Sequence, residues 1–95
     1  MKEEIVNTDS SEVTARIFGA FDAHAREIEK AFGVDINNRA QGAGDSIVVT
    51  GEEASGVRMA ASVLTRMRDG AGDSEEITDQ QVSYLIGMVR DGQEE

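Results

Sequence analysis

The chain predicts a two-layer α+β domain: a three-stranded sheet backed by helices, in the order β-α-α-β-β-α, with one extra helix at the C-terminal end. Three features of the sequence predict it. Short alternating or wholly apolar runs at 4–7, 34–37 and 46–50 read as strands. Apolar residues three and four apart read as helices between and after them. Glycine- and serine-rich joints separate the two patterns. Because Ile47-Val48-Val49 is apolar on both faces, the third strand is expected at the centre of the sheet.

Each element has its own local cause. The first strand, Glu4 to Asn7, gives way to Thr8-Asp9-Ser10-Ser11, a cluster suited to ending a strand and capping a helix, with Ser10 or Ser11 as the N-cap. Glu12 to Phe18 then places Val13, Ile17 and Phe18 on one side. After an interruption at Gly19-Ala20-Phe21-Asp22, Asp22 is positioned to cap a second helix carrying Ala25, Ile28 and Phe32 at i, i+3 and i+7. Gly33 stands where a left-handed helix end needs glycine. Val34-Asp35-Ile36-Asn37 alternates as a half-buried strand does. With Ser46 to Thr50 it forms a hairpin whose Gln41–Asp45 loop reads as somewhat longer than the tight two-residue type.

Glu52 to Arg68 reads as a helix with Val57, Ala60, Ala61, Leu64 and Met67 or Arg68 along its stripe. Gly56 within it would cost about 1 kcal/mol relative to alanine. Residues 1–70 thus make the domain, and 71–77 an acidic, glycine-containing linker. The C-terminal helix, 78–92, packs on the domain or extends it. Thr78 and Gln81 form a capping box, Ile77 and Val82 a hydrophobic staple, and Val82, Leu85, Ile86 and Val89 the apolar stripe.

Composition narrows the function. The 95 residues hold 9 basic and 19 acidic side chains, a net charge of −10, and 39% apolar residues with only three Phe and one Tyr. Having no cysteine, the chain can form no disulfide, thiolate nucleophile or Cys-based zinc site. A single histidine, His24, argues against a histidine metal cluster or a Ser-His-Asp triad. No acid/base pair or activated nucleophile is recognisable, so catalytic residues and bound metals are expected to be none. No apolar run approaches the roughly 20 residues of a membrane span. MKEEIV has no apolar core of a signal peptide, so a cytoplasmic location without membrane contact is expected.

The segment Arg16-Ile17-Phe18-Gly19-Ala20-Phe21-Asp22, a glycine-bearing loop between two short helices, resembles the GXXG loop of the KH fold of type I. In that fold the backbone approaches single-stranded RNA and helix N-termini face phosphates. Gly19 matches its first glycine. Asp22 replaces its last, setting a carboxylate where a phosphate would lie, and neither Ala20 nor Phe21 supplies a cation.

Over residues 4–92 the sequence resembles a narrower family, the N-terminal KH-like domain of PhoH-like proteins, P-loop ATPases induced by phosphate starvation. The likeness is carried by RIFGAFDAHAREIEKAFGVDINNR, SIVVTGEEASGVRMAASVLTRM and EEITDQQVSYLIGMVRDG. In that family the loop looks like Phe-Gly-x-x-Asp, which Asp22 fits. The resemblance implies a non-catalytic accessory domain, for RNA recognition or for regulating an ATPase domain. ATP and magnesium would belong to that other domain. No GxxxxGK[ST] motif occurs here: Lys2 and Lys30 neither follow a glycine nor precede Ser or Thr.

Expected nucleic-acid contacts are Arg16, Gly19, Ala20, Phe21, Asp22, Arg26, Lys30 and Arg39. The four cations would track phosphates along a groove between the second helix and second strand. Alternatively, Arg26 and Lys30 pair with Glu29 and Glu27 on a solvated helix face. Phe21 would stack a base, or plug the core or a partner surface. His24 is expected to be exposed, facing Glu27. Tyr84 and Met88 lie four apart off the last helix's stripe, a docking patch for the ATPase domain or a second copy of the chain. The other reading is a protein-interaction or oligomerisation module that has the KH shape and binds no nucleic acid.

Overall fold

A computed structural model describes residues 2–8, 11–41, 44–70 and 77–92. Its elements are β1 (Lys2–Thr8), α1 (Ser11–Phe18), a short 3-10 turn (Ala20–Asp22), α2 (Ala23–Phe32), β2 (Asp35–Gln41), β3 (Gly44–Gly51), α3 (Ala54–Gly70) and α4 (Asp79–Arg90). The sheet is antiparallel throughout with strand order β1-β3-β2. The central place of β3 follows from its sequence. Ile47 and Val49 are wholly buried on the helix side, and Val48 is buried on the other. Only the middle strand of three has neighbours to cover both its faces.

Alternation decides what each strand buries. Val6 of β1 lies opposite Ile47, and Ile36 of β2 opposite Val49, all on the helix side. Ile17, Ile28, Val57, Leu64 and Val63 close over them from α1, α2 and α3. The core is therefore aliphatic, as a chain with three Phe requires. Gly33, with φ 67°, ends α2 in the left-handed conformation while its N–H donates to Glu29 O at 2.8 Å.

Helix α4 joins this core by burying Val82, Ile86 and Val89. Its capping box forms as expected: Gln81 N–H donates to Thr78 Oγ1 at 3.2 Å, and Thr78 N–H to Gln81 Oε1 at 2.9 Å. Contacts from both its ends fasten it to α2. Ser83 Oγ donates to Glu27 Oε2 at 2.8 Å, and the Arg90 guanidinium stands 6.0 Å from the Phe32 ring centroid. Ile77 is itself buried, so the chain is held to the core one residue before α4's cap.

Several expectations are corrected. Ser11 lies inside α1 and does not cap it; Ser10, the other candidate, is outside the described residues, as are 71–76 of the linker and the tail at 93–95. The hairpin is tighter than its composition suggests, because β2–β3 pairing continues to Gln41 opposite Gly44 and leaves only 42 and 43 between. Helix α3 starts at Ala54, not Glu52. Among the described residues no helix is long and apolar enough to cross a membrane.

Candidate recognition surface

A turn between α1 and α2 that reverses the chain in four residues needs unusual backbone angles, and these residues have them. Gly19 has φ 79°, Phe21 φ 55° and Asp22 φ 60°. The last two are left-handed conformations at residues bearing a Cβ, each costing about 1 kcal/mol or more. Three backbone hydrogen bonds hold the turn: Gly19 N–H to Ala15 O at 3.0 Å, Asp22 N–H to Gly19 O at 3.1 Å, and Ala23 N–H to Ala20 O. The result projects Phe21 into solvent, 96% exposed. A ring this free plugs nothing in the core, so that alternative falls.

Asp22 does stand at the N-cap position of α2, but its carboxylate makes no capping hydrogen bond, because its left-handed backbone carries the side chain away from the helix N–H groups. It instead lines a groove of about 430 Å³, within the roughly 300–1,000 Å³ range of ligand sites. One wall is α1, with Thr14, Ala15 and Phe18. The other is β2, with Ile36, Asn37 and Asn38. At the end lies Asp45, 5% exposed, whose carboxylate accepts from Asn38 Nδ2 at 3.2 Å. A buried pair of hydroxyls, Thr8 Oγ1 and Thr14 Oγ1 at 2.7 Å, ties β1 to α1 beside it.

The four cations do not converge on this groove, and none lines it. Arg16 turns to the opposite flank of α1, 3.4 Å from Glu12. Arg39 sits opposite Ser46 on the sheet face away from the helices, by the same alternation that turns Ile36 inward. Arg26 and Lys30 are exposed on α2. The expected pairs with Glu27 and Glu29 do not form. Glu29 Oε2 takes the Ile36 N–H at 2.8 Å, and Glu27 takes Ser83, so both carboxylates serve as tertiary acceptors.

His24 is corrected most sharply. It is buried, 5% exposed, and its Nε2 lies 2.9 Å from Ile77 O, across 53 residues of chain. A carbonyl only accepts, so Nε2 carries the proton. Nδ1 lies 3.3 Å from Asp79 Oδ1 without making a hydrogen bond. On α4, Tyr84 is 69% exposed and borders an apolar cleft with Met67, Ile77 and Leu85, while Met88 is half-buried beside the α4 stripe. Among the described residues no group of three or more potential ligands could hold a metal ion. Neither a protein-family model, nor a curated protein, nor a solved structure matches the chain.

Proposed function

We propose that this chain is a KH-like recognition domain, the non-catalytic accessory part of a PhoH-like ATPase, and that its ligand is single-stranded RNA held at the α1–α2 loop and the groove beside it. The observation that carries the reading is the loop itself. It spends strain on two left-handed residues, Phe21 with its ring 96% in solvent and Asp22, which lines the groove between α1 and β2. Exposed aromatic rings beside a groove suit unstacked bases, each worth about 1–3 kcal/mol where stacking forms. The β-α-α-β-β-α order with a central third strand supports the KH-like assignment. The motifs from Arg16 to Gly92 that resemble PhoH-like proteins support the wider one.

A second reading has its own support. The groove is lined by the carboxylates of Asp22 and Asp45 and by no arginine or lysine. A protein partner, or the ATPase domain docking at Tyr84, would not meet the repulsion that phosphates meet there. An NMR titration of the labelled chain with short mixed single-stranded RNAs at low salt separates the two. RNA recognition predicts shifts centred on Gly19–Asp22 and Ile36–Asn38, lost in Phe21→Ala. A flat response with RNA in large excess would leave the protein-interaction reading.

A further inference from the structure

His24 links two parts of the molecule that the sequence leaves far apart. On one side its ring fills the space where a side chain at Gly19 would go: a Cβ there would stand 2.5 Å from Cδ2 and 2.8 Å from Cγ. Gly19, at φ 79° and ψ 175°, is thus moulded against the imidazole. On the other side Nε2 donates to Ile77 O at 2.9 Å, and Nδ1 lies 3.3 Å from Asp79 Oδ1. Ile77 and Asp79 bracket Thr78, the residue that caps α4. The same ring therefore packs under the start of the loop and grips the start of the last helix.

We infer that His24 couples the α1–α2 loop to the N-terminus of α4, so that whatever seats or displaces the loop changes how firmly α4 begins, and the reverse. Coupling of this kind is reciprocal by thermodynamic necessity. It has a physical route here because a buried ring in a close-packed interior cannot move at one end alone. The loop holds strain at Phe21 and Asp22, two and three residues after Gly19, which a rearrangement of the loop would release. The inference does not depend on which ligand the loop takes, since the link is internal. It makes His24 a positioning residue for the loop, with α4 as the element that senses it.

The test uses two glycines at positive φ, one against the ring and one in the open. Gly19 has φ 79° and abuts His24; Gly33 has φ 67° and nothing within 4 Å of its would-be Cβ. Gly19→Ala carries the greater backbone strain, with ψ 175° against 43° at Gly33, so each variant is read against its own global reporters, and only the first pushes on the ring. Amide hydrogen exchange of Gln81 and Val82, whose N–H groups bond to Thr78, is read in both variants against Ile47 and Leu64 as reporters of global opening. Gly19→Ala is expected to speed Gln81 and Val82 about five-fold beyond the global change, the factor that losing a cap of about 1 kcal/mol produces. Gly33→Ala is expected to add nothing beyond it. Equal effects in both variants, or none at α4 in Gly19→Ala, would overturn the coupling. Should Gly19→Ala not fold, His24→Ala must speed exchange at both Gly19 and Asp22 in the loop and at Gln81 and Val82 in α4; a change at one end only sinks the proposal. No RNA enters either experiment, so its failure is separate from failure of the RNA reading.

Discussion

Phe21 is the residue at which folding and the proposed recognition pull in opposite directions. Its ring gives the core nothing, being 96% exposed, while its backbone takes a φ of 55° that a residue with a Cβ adopts at a cost. Glycine would take that conformation freely, and only part of the gain is offset by the wider freedom glycine has when unfolded. Phe21→Gly is therefore expected to raise stability by about 0.5–1 kcal/mol, a thermal midpoint higher by a few degrees in a domain this size. The same variant is expected to lose the RNA-induced shifts of the loop. A fall in stability would mean that the ring makes contacts the fold needs. Its exposure was not legible in the sequence, where an aromatic two residues after a turn glycine suited core and surface equally. His24 was misread for a related reason. Its burial is decided by Ile77, 53 residues on, and no local pattern reports a carbonyl that distant.

At the scale of elements, what was legible is what neighbours in the chain decide. The capping box at Thr78 and Gln81, the glycine end of α2 and the period-two burial of Val34 and Ile36 each depend on residues within one turn or one strand. The central position of β3 was legible too, because apolarity on both faces is a property of the strand's own residues. Groove geometry was not: the parity of Val34 and Ile36 already turned Arg39 to the open face, but which side chains wall the space between α1 and β2 depends on how α1 packs over the sheet.

Gly56 shows the same boundary in energetic terms. By helix propensity alone, Gly56→Ala would add about 1 kcal/mol of stability. Yet a Cβ at Gly56 would stand 2.6 Å from the Phe32 carbonyl oxygen, a backbone atom that cannot swing aside, so α3 and the end of α2 would have to part. Overpacking of this kind costs about 1–3 kcal/mol, and Gly56→Ala is expected to destabilise. Gly87 lies inside α4 with nothing within 4 Å of its would-be Cβ, and Gly87→Ala is expected to stabilise by up to about 1 kcal/mol. Denaturant midpoints of the two variants should move in opposite directions from the wild type. Movement in the same direction would show that propensity and not the α2–α3 contact governs Gly56.

Over the whole molecule the dominant fact is charge. The chain carries ten net negative charges, of which the described residues, with 9 basic and 13 acidic side chains, hold four on a body of 30 × 28 × 26 Å. At about 10 mM salt the screening length is roughly 30 Å, as long as the molecule, so each charge feels nearly all the others; at about 1 M it is roughly 3 Å and the repulsion is confined to neighbours. Folding brings these charges together, and self-repulsion opposes the compact state. The thermal midpoint is therefore expected to climb steadily as sodium chloride rises over that range. A midpoint indifferent to salt would mean that local pairs such as Arg16–Glu12 already cancel the field. If the chain binds RNA as proposed, that affinity responds with the opposite sign, because affinity for phosphates falls as salt rises. Since Arg16, Arg26, Lys30 and Arg39 are scattered around the body and absent from the groove, few phosphates can be neutralised at once. The expected slope of log affinity against log salt is then shallow, about −1 to −2, with stacking on Phe21 supplying the salt-insensitive remainder. A steep slope would require a cation stripe that these positions do not make, and would move the RNA off the loop and onto another face.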